Sequence, residues 1–414
     1  MASPTVDVVV VGGGPAGSTA ALVLARGGAR VALVDKTTFP RDKACGDLVG
    51  PRGLAVLESL GLAPPACRKV GEMVVVGPTG RRVLLPARAG YTYPGHAVAI
   101  RRLHFDAWLR DAAVAAGAEP VTGRVAGVRG TSVELDDGRR LDADVLIGAD
   151  GASSAVAVAA GLVDRRAALW GFAERAYAIQ EVDRPLIVLW DETPGNGFPG
   201  YGWLFPGEDG SANVGLGLGL GDDRPAASRA VTQFDAFCDH LRRLGLLTGP
   251  IDTRRLGGWL KIGMVGTVAA RGRIFLIGDA AGLVNPLQGE GLAPAMSSAV
   301  AAAEAILARP ETAAARYRRH LAATAGRYAS VAAPVHAWAI TGSPRRVARL
   351  GRALTLPGLG AALAAPWALT WNDLLDGAPL SAAAITCRVA LGIGRTATVR
   401  SPVRRRLTRD LDDH

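Results

Sequence analysis

The chain opens on a continuous apolar run, Val8 to Val11, the pattern of a strand buried on both faces. Gly12-x-Gly14-x-x-Gly17 follows at once. Ala16 to Arg26 is rich in Ala and Leu and reads as a helix stopped by Gly27 and Gly28. A second apolar strand, Val31 to Val34, ends at Asp35. Gly53 to Leu60 reads as a short helix, and Met73 to Val76 with Arg82 to Leu85 as a hairpin around Pro78-Thr79-Gly80. His96 to Ile100 reads as a strand, and Arg102 to Ala116 carries apolar residues at helical spacing. Gly123 to Asp144 predicts short strands with Asp137-Gly138 in a type I′ turn. Val145 to Gly151 is then a buried strand running into an Asp-Gly turn.

From Leu162 to about Trp259 the pattern changes. Short aromatic strands alternate with Gly/Pro turns: Gly171 to Gln180, Leu186 to Trp190, Tyr201 to Phe205 and Asn213 to Leu220. They predict an antiparallel sheet in a second domain. Thr232 to Leu247 reads as a helix, and Arg273 to Ile277 as a return to a parallel-type strand. Leu292 to Leu307 is a long Ala-rich helix. From Pro310 the chain reads as helices broken by Pro334, Pro344, Pro357, Pro366 and Pro379.

The first fifty residues carry chemistry. Gly12 permits a tight turn, Gly14 lets the backbone approach a pyrophosphate, and Gly17 lets the helix pack on the strand. The helix that starts at Pro15 offers free N–H groups to phosphates from Ala16 onward, and Asp35 can bind ribose hydroxyls. Because strand, helix and terminal acid are all present, the glycines predict a bound dinucleotide.

Composition narrows the rest. The 414 residues suit two or three domains, and 49% hydrophobic content can bury a large core. Met1 to Asp7 has no basic n-region, so no signal peptide is expected, and no stretch reaches transmembrane length. Cys45, Cys67, Cys238 and Cys387 form no CxxC or metal spacing, which predicts a reduced, cytoplasmic, metal-free protein. The net charge of +10 is almost all arginine, with lysine only at Lys36, Lys43, Lys69 and Lys261. No interleaved aromatic–basic pattern points to nucleic acid. The tail has two readings: solvated helix faces, or a basic face for anionic membrane. In the second, Arg345, Arg346, Arg349 and Arg352 flank the apolar Leu354 to Trp371, and Arg400, Arg404, Arg405 and Arg406 follow.

Three segments carry a resemblance: Gly12-x-Gly14-x-x-Gly17, Ala149-Asp150-Gly151, and Gly278-Asp279 with Gly289-x-Gly291. In this order they resemble the FAD-binding signatures of the p-hydroxybenzoate-hydroxylase-like flavoproteins. Within that group the chain is similar to the geranylgeranyl reductase family over roughly residues 5 to 310. Phe39-Pro-Arg-Asp-Lys-Ala-Cys-Gly-Asp47 resembles its FPRxKxCG segment. Pro199 to Pro206 with Asn213-Val-Gly-Leu-Gly217 resembles its YxWxFP…NVGxG segment, and Asn285 to Gly291 matches NPLxGEG. One departure stands after Asp150-Gly151, where the family has SxVR and this chain has Ser154-Ala155-Val156-Ala157.

The resemblance implies FAD, held by Gly12, Gly14, Pro15, Ala16, Gly17, Asp35, Lys36, Arg41, Cys45, Gly46, Arg102, Asp150, Gly151, Gly278, Asp279, Pro286, Gly289, Gly291 and Leu292. It puts Asp279 on the ribityl chain, Pro286 to Gly291 beside the isoalloxazine, and the start of the following helix at the flavin's N1/O2 edge. It also implies a Rossmann-type FAD-binding domain (1–70, 98–160 and 268–310) interleaved with an antiparallel-sheet substrate domain (71–97 and 161–267); beyond the resemblance the chain reads only as a C-terminal helical region (311–414), a candidate for setting substrate length.

The expected activity is reduction of isoprenoid C=C bonds, with NAD(P)H or a reduced carrier as electron source. Cys45, Tyr201 and Trp203 are the substrate-side candidates. For each the bland alternative stays open: sheet core for the aromatics, an inert buried thiol for Cys45. Two further activities also stay open on the same fold. One is a monooxygenase or epoxidase acting on a prenylated or polyene substrate, and the other a cyclase using FAD as scaffold.

Overall fold

The computed structural model describes residues 5–85, 95–190, 200–221, 227–341, 345–370, 374–375, 378 and 380–399. Pro344, Pro379, Arg400, Arg404, Arg405 and Arg406 lie outside these, and so do the side chains of Arg345 and Arg346.

The apolar runs at the start form the centre of a mainly parallel sheet. Its order is Ala270–Arg271, Ile274–Leu276, Arg140–Gly148, Thr5–Val11, Val31–Asp35, Glu119–Thr122. Thr5–Val11 pairs in parallel with both neighbours, which is why Val8, Val9, Val10 and Val11 are apolar without alternation. Helices Pro15–Arg26 and Leu292–Ala308 pack on each other over this sheet, and their Ala-rich faces permit the close approach. Gly27 is one contact point, because a Cβ there would lie 2.5 Å from Leu307.

A seven-stranded sheet forms the second layer, in the order Leu256–Ile262, Leu169–Ala178, Ala212–Gly221, Gly200–Pro206, Leu186–Val188, Met73–Val76, Arg82–Leu85. It is antiparallel except where Leu186–Val188 runs parallel to Met73–Val76. The early hairpin thus extends the later sheet, a long-range pairing that no local pattern announces. Helix Ala227–Arg243 covers one face, burying Phe234, Phe237 and Leu241. A small sheet of Leu48–Val49, Ala97–Ala99 and Arg68–Val70 links the layers.

Two local expectations are corrected. Asp137 is not left-handed, so Asp136-Asp137-Gly138 is a three-residue loop with only Gly138 at positive φ (84°), not a type I′ turn. Leu135 N donates to Arg139 O at 2.9 Å and Gly138 N to Leu135 O at 3.0 Å, the pattern of a type I turn closed by a bulge. Pro334 and Pro366 do not break helices: they lie inside Gly326–Thr341 and Gly360–Leu369. Packing of these helices on their neighbours offsets the roughly 3 kcal/mol a proline costs inside a helix. Among the described residues, no helix is long and apolar enough to cross a membrane.

Candidate functional site

The glycine turn is built by close approach. Gly12 has φ 106°, and a Cβ on it would lie 2.3 Å from the Ala149 carbonyl oxygen, so strand and neighbouring loop touch here. A Cβ on Gly17 would lie 1.7 Å from the Gly12 oxygen, which fixes the helix against the strand. Gly14 is different: a Cβ there meets only Arg41 Nη2 at 3.2 Å. Gly14 is also the N-cap of helix Pro15–Arg26, and no side chain caps that terminus. Its first-turn N–H groups are thus open to an anionic ligand. Asp35 is fixed by Gly13 N (2.7 Å), Thr37 N (2.9 Å) and Thr37 Oγ1 (2.7 Å). A carboxylate accepts about four hydrogen bonds, which leaves capacity for a ribose hydroxyl.

These residues line a cavity of about 1410 Å³ that runs from the glycine turn to the C-terminal helices. A single small-molecule site usually occupies about 300–1,000 Å³, so this one has room for a cofactor and a second molecule. Of the candidate residues, Gly12, Gly14, Pro15, Ala16, Asp35, Lys36, Arg41, Cys45, Gly46, Arg102, Asp150, Gly151, Asp279, Pro286, Gly289, Gly291 and Leu292 line it, with Tyr201 and Trp203. Gly17 and Gly278 do not; they serve packing, Gly278 (φ 55°) against Ala16 and Ala295.

Charge is tightly arranged at mid-cavity. The fully buried Asp106 holds Arg102 through Nε (2.6 Å) and Nη2 (2.7 Å), and Arg41 through Nη1 (3.0 Å). Lys43 Nζ lies 3.4 Å from Asp279 Oδ2. Asp150 accepts from Ser154 Oγ (2.5 Å) and Ala155 N (2.6 Å), so its carboxylate caps helix Ala155–Ala159. Where the family's arginine is missing, the chain has a buried cation elsewhere. Lys261 Nζ donates to the Ala280 carbonyl at 2.5 Å; burial pulls its pKa down to about 8, opposed by Asp150 and Asp279.

The substrate side is aromatic. Tyr201, Trp203 and Phe205 alternate along Gly200–Pro206 and so share one face. Trp203 stacks on Phe205 at 6.1 Å and tilts against Tyr201 at 6.2 Å. Opposite Trp203 stands Gly215, where a Cβ would lie 2.2 Å from the indole; the glycines of Asn213-Val-Gly-Leu-Gly217 make room for the rings. Trp203 Nε1 donates to Asn213 Oδ1 at 2.9 Å, and Asn213 Nδ2 donates to Cys45 O (2.7 Å) and Asp47 Oδ2 (2.8 Å). Asp47, left-handed at φ 59°, also accepts from Tyr177 OH at 2.6 Å. Burial pushes its pKa up to about 6 despite these donors.

Burial also raises the Cys45 thiol, against the pull of Arg102, so Sγ carries a proton at neutral pH. The Tyr201 hydroxyl is raised by burial too, and it donates to the Gln288 carbonyl. Glu290 accepts from Ala293 N at 2.8 Å across the start of helix Leu292–Ala308, and burial lifts it to about 7.

The C-terminal helices close the cavity. Trp367 Nε1 donates to Leu287 O (3.3 Å), Gln288 Nε2 to Trp367 O (2.8 Å) and Asn285 Nδ2 to Thr370 O (3.2 Å), tying Gly360–Leu369 to the loop before Gly291. Sequence reasoning did not single out Asp47, Tyr177, Lys261, Glu290 or Trp367. Only Asp47 and Glu290 had a local signal, being ionisable residues inside the quoted motifs.

The donor set fits FAD: an uncapped helix terminus for the pyrophosphate, an acid at the second strand, and a long apolar-walled slot beyond. The FAD binding domain family matches residues 5–337. Menaquinone reductase of Mycolicibacterium smegmatis is 37% identical over 312 residues, 72% of this chain and 75% of that protein. Geranylgeranyl diphosphate reductase of Rhodobacter capsulatus is 33% identical over 322 residues, 73% and 75% of the two chains. A geranylgeranyl bacteriochlorophyll reductase-like protein from Thermoplasma acidophilum superposes with a TM-score of 0.71, at 22% identity, covering 91% of this chain and 98% of that one. A flavin-dependent halogenase superposes at 0.66, with 22% identity and coverage of 96% and 77%. With the fold shared across these structures and the sequence shared with the two reductases, the chain belongs to the FAD-binding flavoproteins of the geranylgeranyl reductase family.

Proposed function

We propose that the protein is an FAD-dependent reductase that saturates a C=C bond in a long prenyl chain or a prenylated ring. The observation that carries this reading is the shape and lining of the cavity. Beyond the cofactor slot it continues past Tyr201, Trp203, Phe205 and Leu189 to Leu354 and Trp367, a wall suited to a chain without polar handles. The relatives named as reductases of menaquinone and geranylgeranyl diphosphate support the substrate class.

Bound in the slot, FAD would supply the hydride chemistry. The chain supplies position, dryness and protons. Gly14 and the start of helix Pro15–Arg26 would hold the pyrophosphate, Asp35 a ribose, and Asp279 with Lys43 the ribityl chain. Trp203 and Phe205 keep water away from the reacting carbons. Cys45 Sγ and Tyr201 Oη are proton-bearing atoms on the cavity wall, and either is placed as a candidate donor to the carbon that does not receive the hydride. The parallel sheet with its two covering helices forms the FAD-binding unit, the seven-stranded sheet the substrate unit. The electron source is a reduced nicotinamide or electron carrier.

Product mass tests the reading. The protein, reduced under anaerobic conditions and given a geranylgeranyl substrate, should yield product heavier by two hydrogens per saturated bond. A product heavier by one oxygen in air would make it a monooxygenase, and an isomeric product of unchanged mass a cyclase.

A further inference from the structure

The cavity has two ends of opposite character. At the nucleotide end the exposed lining residues are Lys36, Arg124, Ser153 and Ala155, and only the small Ala155 is apolar. At the other end Leu350, Leu363, Ala382 and Thr386 line the cavity and are also exposed, so they form a second mouth. The same span, between and beside these lining residues in the chain, carries further exposed large apolar side chains: Leu356, Leu359 (61% exposed), Leu380 (85%), Ile385 and Val389. Most of the exposed large hydrophobic residues among those described lie in this one span.

We propose that this mouth is a portal seated on an anionic lipid bilayer, through which the long-chain substrate passes directly between membrane and cavity. The proposal rests on the prenyl-chain reading above and adds where that chain comes from. Three observations select a bilayer as the occupant. The apolar residues rim an opening into an apolar cavity, whereas a protein-binding patch needs no cavity behind it. Arg349, Arg352 and Arg388 are exposed in the same span, and residues 345–399 contain six Arg and two Asp. That charge complements anionic headgroups and opposes pairing of the face with a second copy of itself. The helices carrying the rim, Arg345–Leu354, Gly360–Leu369 and Ala382–Val399, are too short or too polar to span, which leaves shallow insertion.

The test uses the full-length, FAD-loaded protein and vesicles of phosphatidylcholine with or without phosphatidylglycerol. Wild type should co-sediment with the anionic vesicles at low salt and release at high salt. Leu359→Glu/Leu380→Glu should lose co-sedimentation, and Arg349→Gln/Arg352→Gln should weaken it by roughly fivefold per arginine. Ile179→Glu, at an exposed apolar site that does not line the cavity, should bind as wild type. Flavin absorbance and melting temperature confirm that each variant is folded. The rim variants should slow turnover of prenyl substrate embedded in vesicles while sparing a short prenyl substrate dispersed in detergent. Wild-type indifference to anionic vesicles, or rim variants that bind as wild type, would overturn the portal. A dimer that the rim variants dissociate would overturn it in favour of self-association. Intact vesicle binding with no prenyl turnover in any presentation would instead sink the functional reading.

Discussion

Trp203 and Asn213 are joined side chain to side chain, Nε1 to Oδ1 at 2.9 Å, and both are buried. Asn213 then holds the Cys45 carbonyl and Asp47, so an indole on the substrate wall fixes the loop that carries the candidate thiol. Trp203 is therefore both cavity wall and core. Trp203→Phe keeps an aromatic ring but strands the buried Asn213 oxygen, at a cost of about 1–3 kcal/mol. We expect a lower melting temperature, flavin still bound, and turnover reduced further than flavin content. Wild-type melting in Trp203→Phe would show that the hydrogen bond does not anchor the loop.

Gly14 and Gly17 make opposite predictions although they belong to one motif. A side chain at Gly17 collides with backbone 1.7 Å away, so Gly17→Val should destabilise by more than about 4 kcal/mol or fail to fold. A side chain at Gly14 meets only the flexible end of Arg41, so Gly14→Val should cost the apoprotein at most about 1 kcal/mol while abolishing FAD binding. Denaturant melts of the apoproteins and FAD titration separate the two; a Gly14→Val protein that keeps its flavin would remove the pyrophosphate from this site.

Asp279 faces the cavity with Lys43 at 3.4 Å. Asp279→Ala should weaken FAD by about 1–3 kcal/mol, through loss of a charge-assisted hydrogen bond and release of Lys43. Reconstitution of apoprotein followed by flavin fluorescence measures this directly. Affinity equal to wild type would mean that Asp279 serves only to hold Lys43.

Asp47 sets a pH dependence of stability. Burial raises its folded-state pKa from 3.8 to about 6, so between those values the native state holds a proton that the unfolded chain has released. Its contribution is full below pH 3.8 and is lost as pH rises to about 6, by at most about 3 kcal/mol. Asp47→Asn removes this titration and tolerates the left-handed backbone. The stability of wild type minus that of Asp47→Asn should fall as pH rises from 4 to 7. A flat difference across that range would mean that Asp47 is ionised throughout.

What was legible in the chain follows from the range of the interactions involved. The run Val8 to Val11, the glycines, the helix to Arg26 and the acid at Asp35 form one contiguous unit whose parts touch within some thirty residues, so local rules sufficed. The alternation of Tyr201, Trp203 and Phe205 likewise marked a shared face before any partner was known. The turn at Gly138 was misread because an Asp-Gly pair is compatible with two loop lengths, and strand register chooses between them.

The sequence by itself determined most of the elements, the nucleotide turn and the identity of the family, because each rests on backbone geometry or spacing that neighbouring residues dictate. Tertiary structure alone decided the rest. It carried Asn213 to Cys45, 168 positions away, and Lys43 to Asp279, 236 positions away. It turned Asp150 inward as a helix cap, and it brought Trp367 and the helices after it over the cavity as a wall with an apolar mouth. Those contacts arise from burial of large surfaces between distant segments, and burial is non-directional: it selects which segments meet by their fit in three dimensions, which no local pattern encodes.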